Sequence, residues 1–262
     1  MKKVRPVARW YWLLILLLVW ELTARFSGIS PLLLPTVESV AVTLFRELFT
    51  GTLGLQLLMT IGMILLSLVC SALLALALTL LSRHFSGLAG LFDTLSAILH
   101  PLPGVALLPL LVIWFGTGTA SVFAVMLHAC LWSMFISLQD GFAAVPPIYE
   151  RVGRNLSMSR LRVELEILLP ASASAVLSGL RIGWARAWRA LISAEMVFGA
   201  IGQLGGIGWY LFRQRAFMNT SGLFAGLVCV MAIGYAVETL AFGALEKHTV
   251  LKWGGEHDAA SR

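Results

Sequence analysis

The chain has 262 residues, of which 59% are hydrophobic and 12% charged, and its mean hydropathy is +0.88. So little polar surface cannot cover a water-soluble globule, so the chain reads as an all-α membrane protein. Its net charge of +6 is not the footprint of a nucleic-acid partner, because the basic residues flank apolar segments and form no stripe with interleaved aromatics.

Spans of roughly 20 apolar residues predict about six transmembrane helices. The first is centred on Trp10 to Trp20 and extends toward Phe26. Lys2, Lys3, Arg5 and Arg9 precede it like the n-region of a signal peptide, but "ELTARFSG" follows without a small-x-small cleavage site, so it reads as an uncleaved anchor. Next, "LPTVESVAVTLFREL" sets Val37, Val40, Ala41, Leu44 and Leu48 on one helical face behind Thr36 as N-cap. This is either an interfacial helix or an ordinary surface helix. The remaining predicted spans are Leu57 to Leu81, Leu88 to Phe115 (containing Pro101, Pro103 and Pro109), Ala120 to Leu138, Ala175 to Phe198 and Leu223 to Leu245.

Charge then sets the orientation. With a cytoplasmic N-terminus, twelve basic residues fall inside (Lys2, Lys3, Arg5, Arg9, Arg83, Arg151, Arg154, Arg160, Arg162, Lys247, Lys252, Arg262) against four outside (Arg25, Arg46, Arg213, Arg215). Both termini are therefore expected in the cytoplasm, together with the segment between the fourth and fifth spans. That segment, "YERVGRNLSMSRLRVELEILLP", holds seven charges in twenty-two residues. After Pro146 and Pro147 it predicts one short helix to Leu156, a break at Ser157 to Ser159, and a second run from Arg160 to Leu168 with Leu161, Leu165 and Leu168 on one face. The pattern is that of a protruding two-helix knob, where a mere retention signal would need only the arginines.

The fifth span carries Arg181, Arg186, Arg189 and Glu195 on one half of the helix and a ridge of Gly179, Gly183 and Ala187 on the other. Charges at this depth must face protein or water, and the small ridge suits close helix packing. Arg186 and Arg189, with Glu195 and Glu238, are candidates either for a cationic path lining or for interhelical pairs. No catalytic set is visible: the five histidines have no partner spacing, G-x-S-x-G is absent, and none of Lys2, Lys3, Lys247 and Lys252 stands in a phosphate-binding loop. Cys70, Cys130 and Cys229 lie in apolar runs without metal or disulfide spacing.

"GRNLSMSRLRVELEILLP" resembles the cytoplasmic EAA loop of bacterial ABC-importer permeases. "HPLPGVALLPLLVIWFGTG", "GLRIGWARAWRALISAEMVFG", "GGIGWYLF" and "LEKHTVLKWG" are similar, in the same order, to the branch with nitrate, taurine and alkanesulfonate permeases. The resemblance implies a type I ABC-importer permease fold with a cytoplasmic coupling helix in the bacterial inner membrane. It also implies an N-terminal anchor and periplasmic segment over 1–52, the permease domain over 53–247 and a cytoplasmic tail over 248–262. The chain would be no enzyme and would bind no cofactor or metal itself. ATP and Mg would sit on separate ATPase subunits, a second permease copy would complete the path, and a periplasmic or lipid-anchored binding protein would deliver a small anion such as an aliphatic sulfonate, taurine or nitrate. An aromatic vitamin precursor is the alternative cargo and a secondary transporter the alternative class.

The coupling helix would comprise Arg151, Gly153, Arg154, Asn155, Leu156, Ser157, Met158, Ser159 and Arg160, with Leu156 and Met158 as apolar anchors. The Glu-Ala-Ala triplet of the pattern falls on Arg151, Val152 and Gly153, and its glycine falls on Ser157. Serine reaches a positive φ only at a cost.

Overall fold

A computed structural model of the chain describes residues 6–199 and 205–249. Among these there is no strand. In order, the helices are α1 (Pro6–Phe26), α2 (Val37–Phe49), α3 (Leu53–His84), α4 (Ser86–Leu99), a 3₁₀ turn (Gly104–Leu107) leading into α5 (Leu108–Phe115), α6 (Thr119–Ala144) and α7 (Pro147–Asn155). They continue as α8 (Arg160–Ala171), α9 (Ala173–Phe198), α10 (Ile207–Ala216) and α11 (Thr220–Lys247).

The centre of the fold is α6, which buries Val122, Val125, Met126, Cys130 and Phe135. Against it lies the predicted ridge of α9: a Cβ on Gly179 would stand 2.9 Å from the Cβ of Ser137, and one on Gly183 would stand 3.0 Å from Met134 Cε. Cys130 Sγ meets the Gly183 carbonyl at 3.2 Å, a distance only a bare helix backbone allows.

α3 has its polarity reversed relative to a soluble helix. Its inward face buries Gln56, Thr60, Ser67, Ser71, Thr79 and Ser82, while Leu58, Leu65, Leu66, Val69 and Leu73 point outward. In hydrocarbon, leucines gain nothing by turning inward, whereas hydroxyls need partners. Ser67 and Ser82 donate to the carbonyls of Ile64 and Leu78 at 3.0 and 2.8 Å. Ser71 reaches across to Leu127 of α6 at 3.4 Å.

Among the described residues three helices, α3, α6 and α11, are long and apolar enough to cross a membrane, and the number is five if each of two bent pairs counts as one span. The predicted third span, Leu88 to Phe115, is one such pair: α4 and the segment Gly104–Phe115 bend by 96°. The bend falls at "HPLPG", where Pro101 and Pro103 withhold backbone donors and forbid a continuous helix. The other pair is α8 with α9, bent by 74° at Ser172. Six crossings would further require α1, 21 residues long, which meets the bundle through Trp20 bonded to the Pro35 carbonyl at 3.0 Å and set against the Phe224 ring.

Thr36 caps α2, accepting from Ser39 N–H at 3.3 Å. The predicted apolar face turns inward, with Leu44 and Leu48 on a cluster of Leu53, Leu57, Ile207, Tyr210 and Cys229. α2 thus shares a core with α3, α10 and α11. Of the tail 248–262, residues 250–262 lie outside the described residues.

Candidate functional site

The charged segment folds as a knob at the end of the bundle where α3 finishes. α7 starts at Pro147, whose missing N–H costs nothing in a first turn. It ends in a left-handed turn at Ser157, φ +56°. Ser157 N–H donates to the Arg154 carbonyl at 2.9 Å and Met158 N–H to the Gly153 carbonyl at 3.1 Å, which is the Schellman closure. Ser159 then caps α8, accepting from Arg162 N–H at 3.4 Å.

Within this frame Arg151, Arg154, Asn155, Leu156, Ser157, Ser159 and Arg160 are exposed, Leu156 at 69%. Gly153 is buried, and a Cβ there would come within 2.8 Å of Val163 and Ile167. Met158 is half-buried against the main core, so Leu156 is the one expected apolar anchor that the tip presents. The second helix also departs from expectation. A π-helical turn occupies Glu164–Leu168, and Val163, Glu164 and Leu168 are buried while Leu161 and Leu165 face outward.

Sequence reasoning missed what fastens the knob. Arg83, at the end of α3, donates from Nε to Glu164 Oε1 at 3.1 Å and from Nη2 to Glu150, and lies over the Phe142 ring of α6. Arg160 Nη2 returns a hydrogen bond to the Arg83 carbonyl. No local signal marks this cluster, because its members are 67 to 81 positions apart. Beside it a cleft of about 460 Å³ opens between the end of α6, Tyr149, Glu166 and the small residues of the α8–α9 bend.

The fifth-span charges follow the interhelical pairing considered above for Glu238 and depart from it for Glu195. Glu195 is 2% exposed and pairs with no arginine among the described residues; its carboxylate accepts from Gly206 N–H at 2.6 Å and Gly208 N–H at 2.9 Å. Thr60 takes the N–H between them, Ile207, at 2.9 Å, so the donors at the start of α10 are held by α9 and α3. Glu238 does pair, but with Arg181, at 3.1 Å, and Arg181 also reaches Glu246 at 3.5 Å. Arg186 is half-buried and donates to the His100 carbonyl at 3.1 Å, at the break between α4 and the 3₁₀ turn. Arg189 is exposed and has no ion pair among the described residues. Ser174, Ser178 and Ile182 are exposed along the same helix.

Residues 75–250 match the family model described as binding-protein-dependent transport system inner membrane component. The chain belongs to this family. The permease is 29% identical to the taurine transport system permease protein TauC of Escherichia coli, over 93% of this chain and 88% of the relative. It is 24% identical to the putative aliphatic sulfonates transport permease protein SsuC of Bacillus subtilis, over 93% and 86%. With the nitrate import permease protein NrtB of a Synechocystis species it shares 25%, over 90% and 86%. It is therefore an ABC-importer permease of this branch, a multi-pass inner-membrane transport protein and not an enzyme.

Proposed function

We propose that this permease forms the translocation path of an ATP-driven importer for a small anion, such as an aliphatic sulfonate, taurine or nitrate. The knob docks in a groove of a separate cytoplasmic ATPase subunit, which binds the ATP and Mg. Both chain termini lie on that side, and an external binding protein delivers the substrate at the opposite end, where α2 and α10 sit. A second, identical copy faces the exposed side of α9, and lipid covers the leucine face of α3.

The observation that carries this reading is the tip of the knob. Arg151, Arg154 and Arg160 surround an exposed Leu156 on a turn closed by backbone hydrogen bonds. A rigid apolar anchor with a charged rim is the form of a protein-docking surface. The cationic rim calls for an acidic groove on the ATPase. The path is supported by Arg189: exposed to lipid at mid-span, its charge would cost about 2.5 kcal/mol or more, so it faces water or the second copy, and Arg186 follows Ile182 by one helical turn on the same side.

A cysteine at Leu156 tests the docking role. It should cross-link to a cysteine in the ATPase groove with an efficiency that changes with nucleotide, and the chain purified alone should not hydrolyse ATP. ATP turnover by this polypeptide alone, or labelling of the Leu156 cysteine from the external face, would overturn the reading.

A further inference from the structure

Arg83 occupies an unusual position for a residue that does no more than mark the cytoplasmic end of a helix. Its guanidinium bridges carboxylates from both knob helices, Glu150 on α7 and Glu164 on α8. The Glu164 side chain is only 1% exposed and is approached as well by His84 Nδ1 at 3.6 Å and Arg160 Nε at 3.7 Å. The planar fork of arginine makes such a double attachment directional, which apolar contacts at the knob base cannot be. The hydrogen bond from Arg160 to the Arg83 carbonyl ties the α3 backbone to the same cluster.

α3 leads away from this cluster to the far end of the fold. From Arg83 back to Thr60 the helix is unbroken, about 35 Å at 1.5 Å per residue. There Thr60 holds the first turn of α10 together with Glu195. One rigid element therefore connects the knob with the end opposite to it.

We propose that Arg83 is the residue through which displacement of the knob reaches α3, so that α7, α8 and α3 move as one body in the transport cycle and α3 carries the movement to α10. Arg83 is a positioning residue in this scheme and touches neither ATP nor substrate. The scheme rests on the docking role proposed for the knob, and two separate measurements distinguish failure of the one from failure of the other.

The first measurement uses spin labels in the assembled, reconstituted transporter, with the half-buried Cys70 replaced: one label at Ile148 at the start of α7, one at Leu81 near the end of α3, both exposed. The distance between them should be the same with and without nucleotide, while Ile148 to Ser178 on α9 changes. A shift in the Ile148–Leu81 distance of about 5 Å, one helical turn, would mean that the knob pivots on α3, and would overturn the proposal while leaving docking intact. Constancy of both distances through ATP turnover and uptake would overturn it also.

The second measurement is substrate moved per ATP hydrolysed. Arg83→Gln, and independently the isosteric Glu164→Gln, should still co-purify with the ATPase and hydrolyse ATP, but move about tenfold less substrate per ATP. Arg83→Lys, which keeps one attachment, should fall between. An Arg83→Gln transporter with wild-type stoichiometry would overturn the role of Arg83. If the unaltered complex shows no nucleotide-dependent cross-link from Leu156, the docking role and this proposal fall together. Should the glutamine variants not assemble, the label distances in the unaltered protein still decide.

Discussion

Replacing Glu195 by glutamine preserves shape and removes charge, and the consequence can be worked out from the start of α10. Two carboxylate oxygens there accept one backbone N–H each, at 2.6 and 2.9 Å, in a site that is 2% exposed. A glutamine oxygen can keep one of these bonds, but its amide nitrogen then confronts the other N–H, donor against donor. The lost charge-assisted bond is worth about 1.5–3 kcal/mol and the stranded buried donor about 1–3 kcal/mol more. A combined loss of about 3–5 kcal/mol corresponds to a melting temperature lower by on the order of 10 °C for a chain of this size. Thr60→Val removes a neutral acceptor from Ile207 N–H and should cost less, about 1–3 kcal/mol. Tryptophan fluorescence during thermal unfolding of the detergent-solubilised permease measures both, since Trp209 stands on α10 itself. Melting of Glu195→Gln at the wild-type temperature, or above Thr60→Val, would refute the assignment of Glu195 as the holder of this helix.

The Ser157→Gly change relieves a left-handed residue of about 1–2 kcal/mol and gives back about 0.4–1 kcal/mol in unfolded-chain entropy, so stability should hold or rise slightly and substrate moved per ATP should not fall. Ser157→Glu, at an exposed tip, should leave melting unchanged but weaken retention of the ATPase on affinity purification. Arg189→Leu should give normal folded yield and reduced sulfonate uptake; undiminished uptake would reject its place in the path. Arg181→Leu strips Glu238 and Glu246 of their shared partner and should instead appear as low yield, measured by gel filtration of the solubilised protein.

Much of the architecture follows from local chemistry, and the residues that could be read are those whose partners are near in sequence or are lipid. The apolar runs of α3, α6 and α11, the Thr36 cap, the break at Ser157 and the glycine ridge of α9 are of this kind. The orientation of α8 is not: Val163 and Leu168 pack in the core beneath the knob, which leaves Leu161 and Leu165 outside. The angle at "HPLPG" is likewise set by packing on α6, where Gly104 lies against Val125. Glu195 reads as a candidate for a path lining or an interhelical pair with an arginine, yet it is taken by backbone N–H groups 11 and 13 residues on. The attachments of Arg83 are invisible for the same reason at greater distance.

That distance also orders events during synthesis. Glu164 follows Arg83 by 81 residues, so at typical elongation rates of about 5–20 residues per second the arginine waits about 4–16 s for the carboxylate that will hold it. During that interval Arg83 is a solvated cation at the end of α3, not yet paired with Glu164. The knob cannot be fastened as a local unit, since Glu150 and Glu164 find Arg83 only on a helix made earlier. Chains truncated between Asn155 and Glu164 would therefore lack α9 to α11 as well as the Arg83–Glu164 attachment, and an ATPase that docks on the knob should not be retained by them.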